Sequence, residues 1–144
     1  MSYIRVWIHC VWSTKKRQPV LTDNFRYALY DHIRENAEKK NIYLDRVNGY
    51  TDHVHCLVSL GSAQTIEKII QLIKGESSFW FNNKSGFKGA KPEWQDEYFA
   101  VSVSESNIDA VRAYIDKQGE HHKKKTFEEE YNEFMSKYGF EKLR

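Results

Sequence analysis

The apolar residues of this 144-residue chain change their period in a set order, and that order leaves few folds open. Along YIRVWIHCVW (3–12), Ile4, Val6, Ile8, Cys10 and Trp12 alternate with Tyr3, Arg5, Trp7, His9 and Val11. A period of two predicts a strand with one apolar and one mixed face. Phe25, Leu29, Ile33 and Ala37 then recur at helical spacing. IYLDRVNGY and DHVHCLVSL predict a second and a third strand joined by a tight turn between Gly49 and Asp52. A second helix carries Ile66, Ile69, Ile70, Ile73 and Trp80 on its buried stripe, with Thr65 as N-cap. After a long loop over 84–94, residues 97–104 predict a fourth strand. A third helix is expected over 106–118, opened by Ser106 with Asp109 three residues on and broken by Gly119. Thr126 with Glu129 opens a last amphipathic helix that runs to about Tyr138.

This β-α-β-β-α-β order is ferredoxin-like, an α+β fold in which the first and third strands lie side by side in a four-stranded antiparallel sheet. Two helices cover one face of that sheet and leave the other open; a C-terminal helix carrying Tyr114 and a tail helix follow, and the tail must deal with that open face. The length suits one domain, taken as 1–144. Aromatic residues at 15% and hydrophobic residues at 40% argue for an ordered globule. No apolar run approaches a membrane span, and MSYIRVW lacks a signal-peptide layout, so a cytoplasmic location is expected. Cys10 and Cys56 imply no disulfide framework and are read as buried thiols. The net charge of +2 is too small to argue for a nucleic-acid partner, although bases collect in KKR (15–17) and HHKKK (121–125) and acids in FEEEY (127–131).

The third strand raises the functional question. Val54, Cys56, Val58 and Leu60 share the face that suits the two helices, so His53 and His55 project from the opposite face, roughly 7 Å apart. Two imidazoles at that spacing can converge on one ion or can be hydrogen-bonded histidines. His9 and Trp7 look onto the same surface. Cys56 points the other way, which tells against a His/Cys zinc site. A metallo-hydrolase HxHxDH run and a zinc-deaminase pattern are both absent. Two histidines leave a coordination shell incomplete. On the third helix Tyr114 and Gln118 stand four apart and share a face. Gln118 offers a carbonyl oxygen suited to Mg²⁺ or Mn²⁺. Tyr114 is either an amphipathic core tyrosine or a phenol that a metal-bound phosphate would make useful as a nucleophile. Tyr131 is the poorer candidate, because three glutamates precede it.

With both motifs in view, the sequence resembles the single-tyrosine HUH transposases, the small TnpA-type enzymes of insertion sequences that move as single-stranded DNA, and their REP-associated relatives. DHVHCLV resembles the HUH motif, and AYIDKQGEHHKKKTFEEEY the tyrosine helix and tail. HCVWSTKKRQPVL, IKGESS and WQDEYFAVSVS are similar to further family segments, so the resemblance spans about residues 9–138 in order. It implies that His53, His55 and Gln118 hold Mg²⁺ or Mn²⁺ and that Tyr114 is the nucleophile. It implies cleavage of hairpin-bearing single-stranded DNA through a 5′-phosphotyrosyl link with a free 3′-OH, then rejoining without ATP, and a homodimer with active sites shared between subunits. Lys15, Lys16, Arg17, Lys74, Lys123, Lys124 and Lys125 are the candidates for contacts to the DNA backbone. Trp7, Trp80 and Trp94 are read as core rather than as base-stacking platforms. The reading from a different class is a non-catalytic single-stranded nucleic-acid-binding module of the same fold. Such modules carry aromatics on the central strands, where this chain has His53 and His55.

Overall fold

The structure, a computed structural model, describes residues 2–83, 92–122 and 124–139. Its strands are β1 (Trp7–Ser13), β2 (Tyr43–Gly49), β3 (His53–Ser59) and β4 (Phe99–Val103). Its helices are α1 (Asp23–Lys39), α2 (Ile66–Asn83), α3 (Ile108–Asp116), the single turn α4 (Gln118–His121) and α5 (Phe127–Lys137), with 3-10 turns at Lys15–Arg17 and Glu105–Asn107. The strands form one antiparallel sheet in the order β2-β3-β1-β4, the ferredoxin-like arrangement that the periods predict. Among the described residues no helix is long and apolar enough to cross a membrane. Most of the loop expected over 84–94 lies outside the described residues.

Alternation along the strands sorts the side chains into two cores. Ile8, Cys10, Trp12, Val54, Cys56 and Val58 pack against Leu29, Ile33 and Ala37 of α1 and Ile69, Ile70 and Ile73 of α2. Both cysteines are buried free thiols, paired across β1 and β3, and burial pushes the Cys10 pKa up to about 12. Trp94 completes this core, its indole N–H donating to Ser77 Oγ at 2.8 Å. On the opposite face Trp7 and Leu57 meet Ile108 and Ile115 of α3.

The β2–β3 turn depends on a close approach. A Cβ built on Gly49 would lie 2.1 Å from the His53 carbonyl oxygen, so only glycine lets the hairpin close directly beside the first histidine.

Four boundaries differ from expectation. β1 starts at Trp7 because its neighbours β3 and β4 end at Ser59 and Val103, which leaves Tyr3, Ile4 and Val6 outside the ladder and exposed. β4 is correspondingly shorter than 97–104. Ser106 is no helix cap: it bonds Ser104 within a 3-10 turn, and α3 begins at Ile108. The third helix ends at Lys117, whose backbone (φ −98°, ψ 16°) leaves the helical region; Gly119 lies inside the turn that follows. The caps at Thr65 and Thr126 form, accepting the Lys68 and Glu129 amides at 3.1 Å each.

Candidate active site

His53 and His55 leave β3 on the face away from α1 and α2, and both are fully buried. That face is not open. α3 covers one end, while α4 and α5 close over the histidines, Phe127 stacking on the His53 ring at 4.4 Å between centroids and 17° between planes. Phe134 meets the rings of His9 and His55 edge-on.

The end of α3 is tied to β2, which positions Tyr114. Asn48 Nδ2 donates to the Ile115 carbonyl at 2.8 Å, taking up one of the helix's last free acceptors. Arg112 grips Asp45 with Nε and Nη2 at 2.7 and 3.0 Å and lies over the Trp7 ring. This bidentate pair fixes the rotation of the helix as well as its distance from the sheet. Tyr114 consequently sits with its ring 5.6 Å from that of His55, edge-on.

Each imidazole has a second partner that orients it. His53 Nδ1 lies 2.8 Å from Asp52 Oδ1, and His53 Nε2 lies 3.1 Å from Gln118 Oε1. Gln118 is fully buried, and its Nε2 donates to the Tyr114 carbonyl at 3.3 Å. His55 Nδ1 faces His9 Nε2 at 2.9 Å, and His55 Nε2 faces Glu130 Oε1 at 3.0 Å. Outer partners of this kind hold a ligating imidazole in one tautomer and one rotamer. Tyr114, His53, His55 and Gln118 therefore meet around one point, with His9 behind His55.

Glu130 of α5 stands in the middle and was not among the residues singled out from sequence. It is 1% exposed. Its Oε2 accepts the Tyr114 hydroxyl hydrogen and lies 3.1 Å from His121 Nε2 and 3.3 Å from His122 Nε2. One available signal was its place on the tail's apolar stripe: Phe127, Glu130 and Phe134 follow at i, i+3 and i+7, the spacing of one helix face. A glutamate on a buried stripe is informative in a way that its two exposed neighbours, Glu128 and Glu129, are not. Tyr131 points elsewhere, its ring meeting Phe99 and lying beneath the Arg17 guanidinium.

Burial dominates the protonation of the site. It pushes the His9 pKa down to about 3, helped by the neighbouring His55, and pushes His55 down to about 4 against the opposing pull of Glu130. Burial, the Glu130 charge and the hydrogen bond to it all hold the Tyr114 phenol well above its ordinary value. Burial alone would raise Glu130, but the imidazoles of His122, His55 and His53 turned towards it hold it well below the carboxylate range. An unfolded histidine titrates near 6.5, so from about pH 6.5 down to 4 the unfolded chain binds protons that folded His9 and His55 refuse. Their contribution to stability is present above that window and is lost on acidification. The melting temperature of chelator-treated protein is expected to fall steadily between pH 7 and 4.5, and a flat profile across that range would contradict neutral buried imidazoles.

The candidate DNA contacts divide. Lys15 pairs with Glu93 at 3.3 Å. Lys16 and Arg17 adopt left-handed backbone (φ 57° and 54°), which sets the Arg17 guanidinium over the Tyr131 and Phe127 rings at 4.7 and 5.6 Å. Lys74 turns inward: half-buried, it donates to the carbonyls of Gln95 and Asp96, and the segment before β4 is anchored on it. Lys125 pairs with Glu133, Lys124 is exposed, and Lys123 lies outside the described residues. Trp7 and Trp94 are buried, and Trp80 is stacked between Phe25 and His32.

A ferredoxin-like sheet with a histidine pair on a central strand and a tyrosine on the facing helix defines the class, a single-tyrosine HUH transposase. The chain belongs to the IS200-like transposases: the family described as "Transposase IS200 like" matches residues 2–118. It is similar to the transposases for insertion sequence element IS200 of Salmonella typhimurium (strain LT2) and Salmonella typhi. Each is 25% identical over 118 residues, covering 80% of this chain and 78% of theirs. A crystallised candidate transposase of Deinococcus radiodurans R1 superposes with a TM-score of 0.64 at 26% identity, covering 81% of this chain and 93% of that one. A REP-associated tyrosine transposase bound to a REP hairpin shares the fold, with a TM-score of 0.60 at 17% identity over 85% of this chain and 72% of that one. The family match ends at Gln118, so His121, His122 and Glu130 come from beyond it.

Proposed function

We propose that the chain cuts and rejoins hairpin-bearing single-stranded DNA through Tyr114. The observation that carries this reading is the convergence of the Tyr114 hydroxyl and the His55 Nε2 on the two oxygens of one buried carboxylate. Tyr114 and the histidine pair thus meet at one carboxylate, which supports assigning them to one site.

The chemistry follows from the placement. The Tyr114 oxygen attacks the scissile phosphorus, and a tyrosine O–P bond replaces the bond to the 3′ oxygen. That oxygen leaves and takes a proton to become a free 3′-OH, while the 5′ phosphate stays on the tyrosine. Glu130 Oε2 already accepts the phenolic hydrogen and is the nearest acceptor for it. Reversal by a new 3′-OH reseals the strand, since the phosphodiester's energy is kept in the covalent link.

His53, His55 and Gln118 bring two imidazole nitrogens and an amide oxygen together, a donor set that fits Mg²⁺ or Mn²⁺. When bound, such an ion would act as a Lewis acid on the phosphate. Lys16 and Arg17, with no carboxylate partner among the described residues, and exposed Lys124 are the basic side chains best placed for the DNA backbone. A homodimer with shared sites is part of the proposal. Two copies exchanging α3 would carry the same Tyr114 contact across, although each chain already brings the tyrosine to its own histidines.

The test is covalent capture. Hairpin-bearing single-stranded DNA labelled at its 3′ end, incubated with the protein and Mn²⁺, is expected to give a labelled band of protein mass on a denaturing gel. His53→Ala should reduce that band strongly. DNA retained on a native gel with no covalent band for any hairpin would favour the non-catalytic binding module instead.

A further inference from the structure

The tail places acceptors against acceptors. Asp52 Oδ1 accepts the hydrogen on His53 Nδ1, which leaves Nε2 as the ring nitrogen that can offer a lone pair. It faces Gln118 Oε1, another acceptor, at 3.1 Å, and the amide is oriented by its own donation to the Tyr114 carbonyl. His122 repeats the pattern. Its Nδ1 lies 2.7 Å from the Lys125 carbonyl and donates to it, which leaves the Nε2 lone pair aimed inward. That nitrogen is buried without a hydrogen-bond partner and points at Glu130 Oε2, 3.3 Å away.

No Lys or Arg of the described residues pairs with Glu130; its ion-pair partners there are His53, His55, His121 and His122. A buried carboxylate faced by the Nε2 lone pairs of His53 and His122 is costly unless a cation sits among them. The geometry suits one. A ligand atom from each of His53, His55, His122 and Glu130 lies within 4.8 Å of the others. Three imidazoles with a carboxylate favour a first-row transition ion over Mg²⁺, which prefers oxygen.

We propose that His122 and Glu130 are metal ligands in their own right, so that the tail beyond the family-matched span supplies half of the site and the ion pins α5 to β3. This rests on the metal-binding part of the reading above. It adds a consequence which that reading does not contain: binding of the ion and docking of the tail helix are linked. An ion that binds only the docked arrangement stabilises it by mass action.

Two measurements on the full chain, stripped by chelator and without DNA, decide the matter. Free Mn²⁺ is followed by its paramagnetic resonance signal during titration of the wild type, Glu130→Gln, His122→Ala and His53→Ala. Hydrogen exchange of residues 127–137 is followed in the wild type with and without Mn²⁺, which needs no substitution. Glu130→Gln and His122→Ala are each expected to weaken Mn²⁺ binding by about tenfold or more. Exchange in α5 should slow on adding Mn²⁺, and a large excess of Mg²⁺ should leave most of the Mn²⁺ bound. Binding by both tail variants within twofold of wild type overturns the proposal, as does α5 exchange indifferent to Mn²⁺. If His53→Ala also binds like wild type, the metal site of the underlying reading fails with it. If only His53→Ala weakens, that site stands and the tail's part in it is refuted.

Discussion

Tyr114→Phe is expected to abolish the covalent DNA adduct while the chain stays folded. The substitution deletes one oxygen and keeps the ring, so its contacts with His9 and His55 persist. Glu130 loses the Tyr114 donor but keeps its imidazole neighbours, which limits the stability cost to about 1–3 kcal/mol. The chemical loss is of another order. With the nucleophilic atom gone, strand cleavage should fall by at least about 10⁴-fold, as when a hydrolase working through a covalent intermediate loses its attacking group. Adduct yield on labelled hairpin DNA measures the first effect, and a thermal melt the second. Persistence of the adduct in Tyr114→Phe would move the nucleophile to another residue. An unfolded variant is not expected, because α3 keeps its buried Ile108 and Ile115 and the aromatic ring at position 114 remains to pack beside them.

Gly49→Ala should produce the largest stability loss from a single methyl group. The added Cβ would stand 2.1 Å from the His53 carbonyl oxygen, which is backbone and cannot swing aside. Either the hairpin opens or β3 shifts along its partners. Both carry His53 away from Gln118 and Asp52, so metal affinity should fall together with stability. Overpacking of this kind costs about 1–3 kcal/mol, which for a chain of this size lowers the melting temperature by roughly 3–10 °C. Gly75→Ala is the matched control. Nothing stands within 4 Å of its added Cβ, and it lies inside α2, so alanine there should be neutral or stabilising by up to about 1 kcal/mol. Equal melting temperatures for the two variants would show that the hairpin is not held by this contact.

The legible parts of the site are those written in short periods. Alternation along DHVHCLVSL is enough to turn Val54, Cys56 and Val58 towards α1 and α2 and the two histidines away from them. A spacing of four puts Tyr114 and Gln118 on one face of a helix, and the family resemblance joins them to the histidines. The helix break at Lys117 was not legible, because Gly119 looked the better stop and nothing local distinguishes a lysine that leaves the helical region. Lys74 likewise reads as a free cation in sequence, and only the fold shows the two carbonyls that use it.

The order of elements, the two faces of the sheet and the histidine pair are written in the local pattern, because backbone geometry repeats every two or 3.6 residues and the apolar residues follow it. That this face is sealed rather than open, that His9 backs His55, and that Glu130 and His122 reach the same point follow from long-range packing instead. The contacts of His55 with His9 and with Glu130 join residues 46 and 75 positions apart, and that of His122 with Glu130 brings a tail helix down at one particular angle. No local period encodes such distances. They are set by how Phe127 and Phe134 settle on the rings of β1 and β3, and that packing carries a glutamate from an acidic run into the centre of the site.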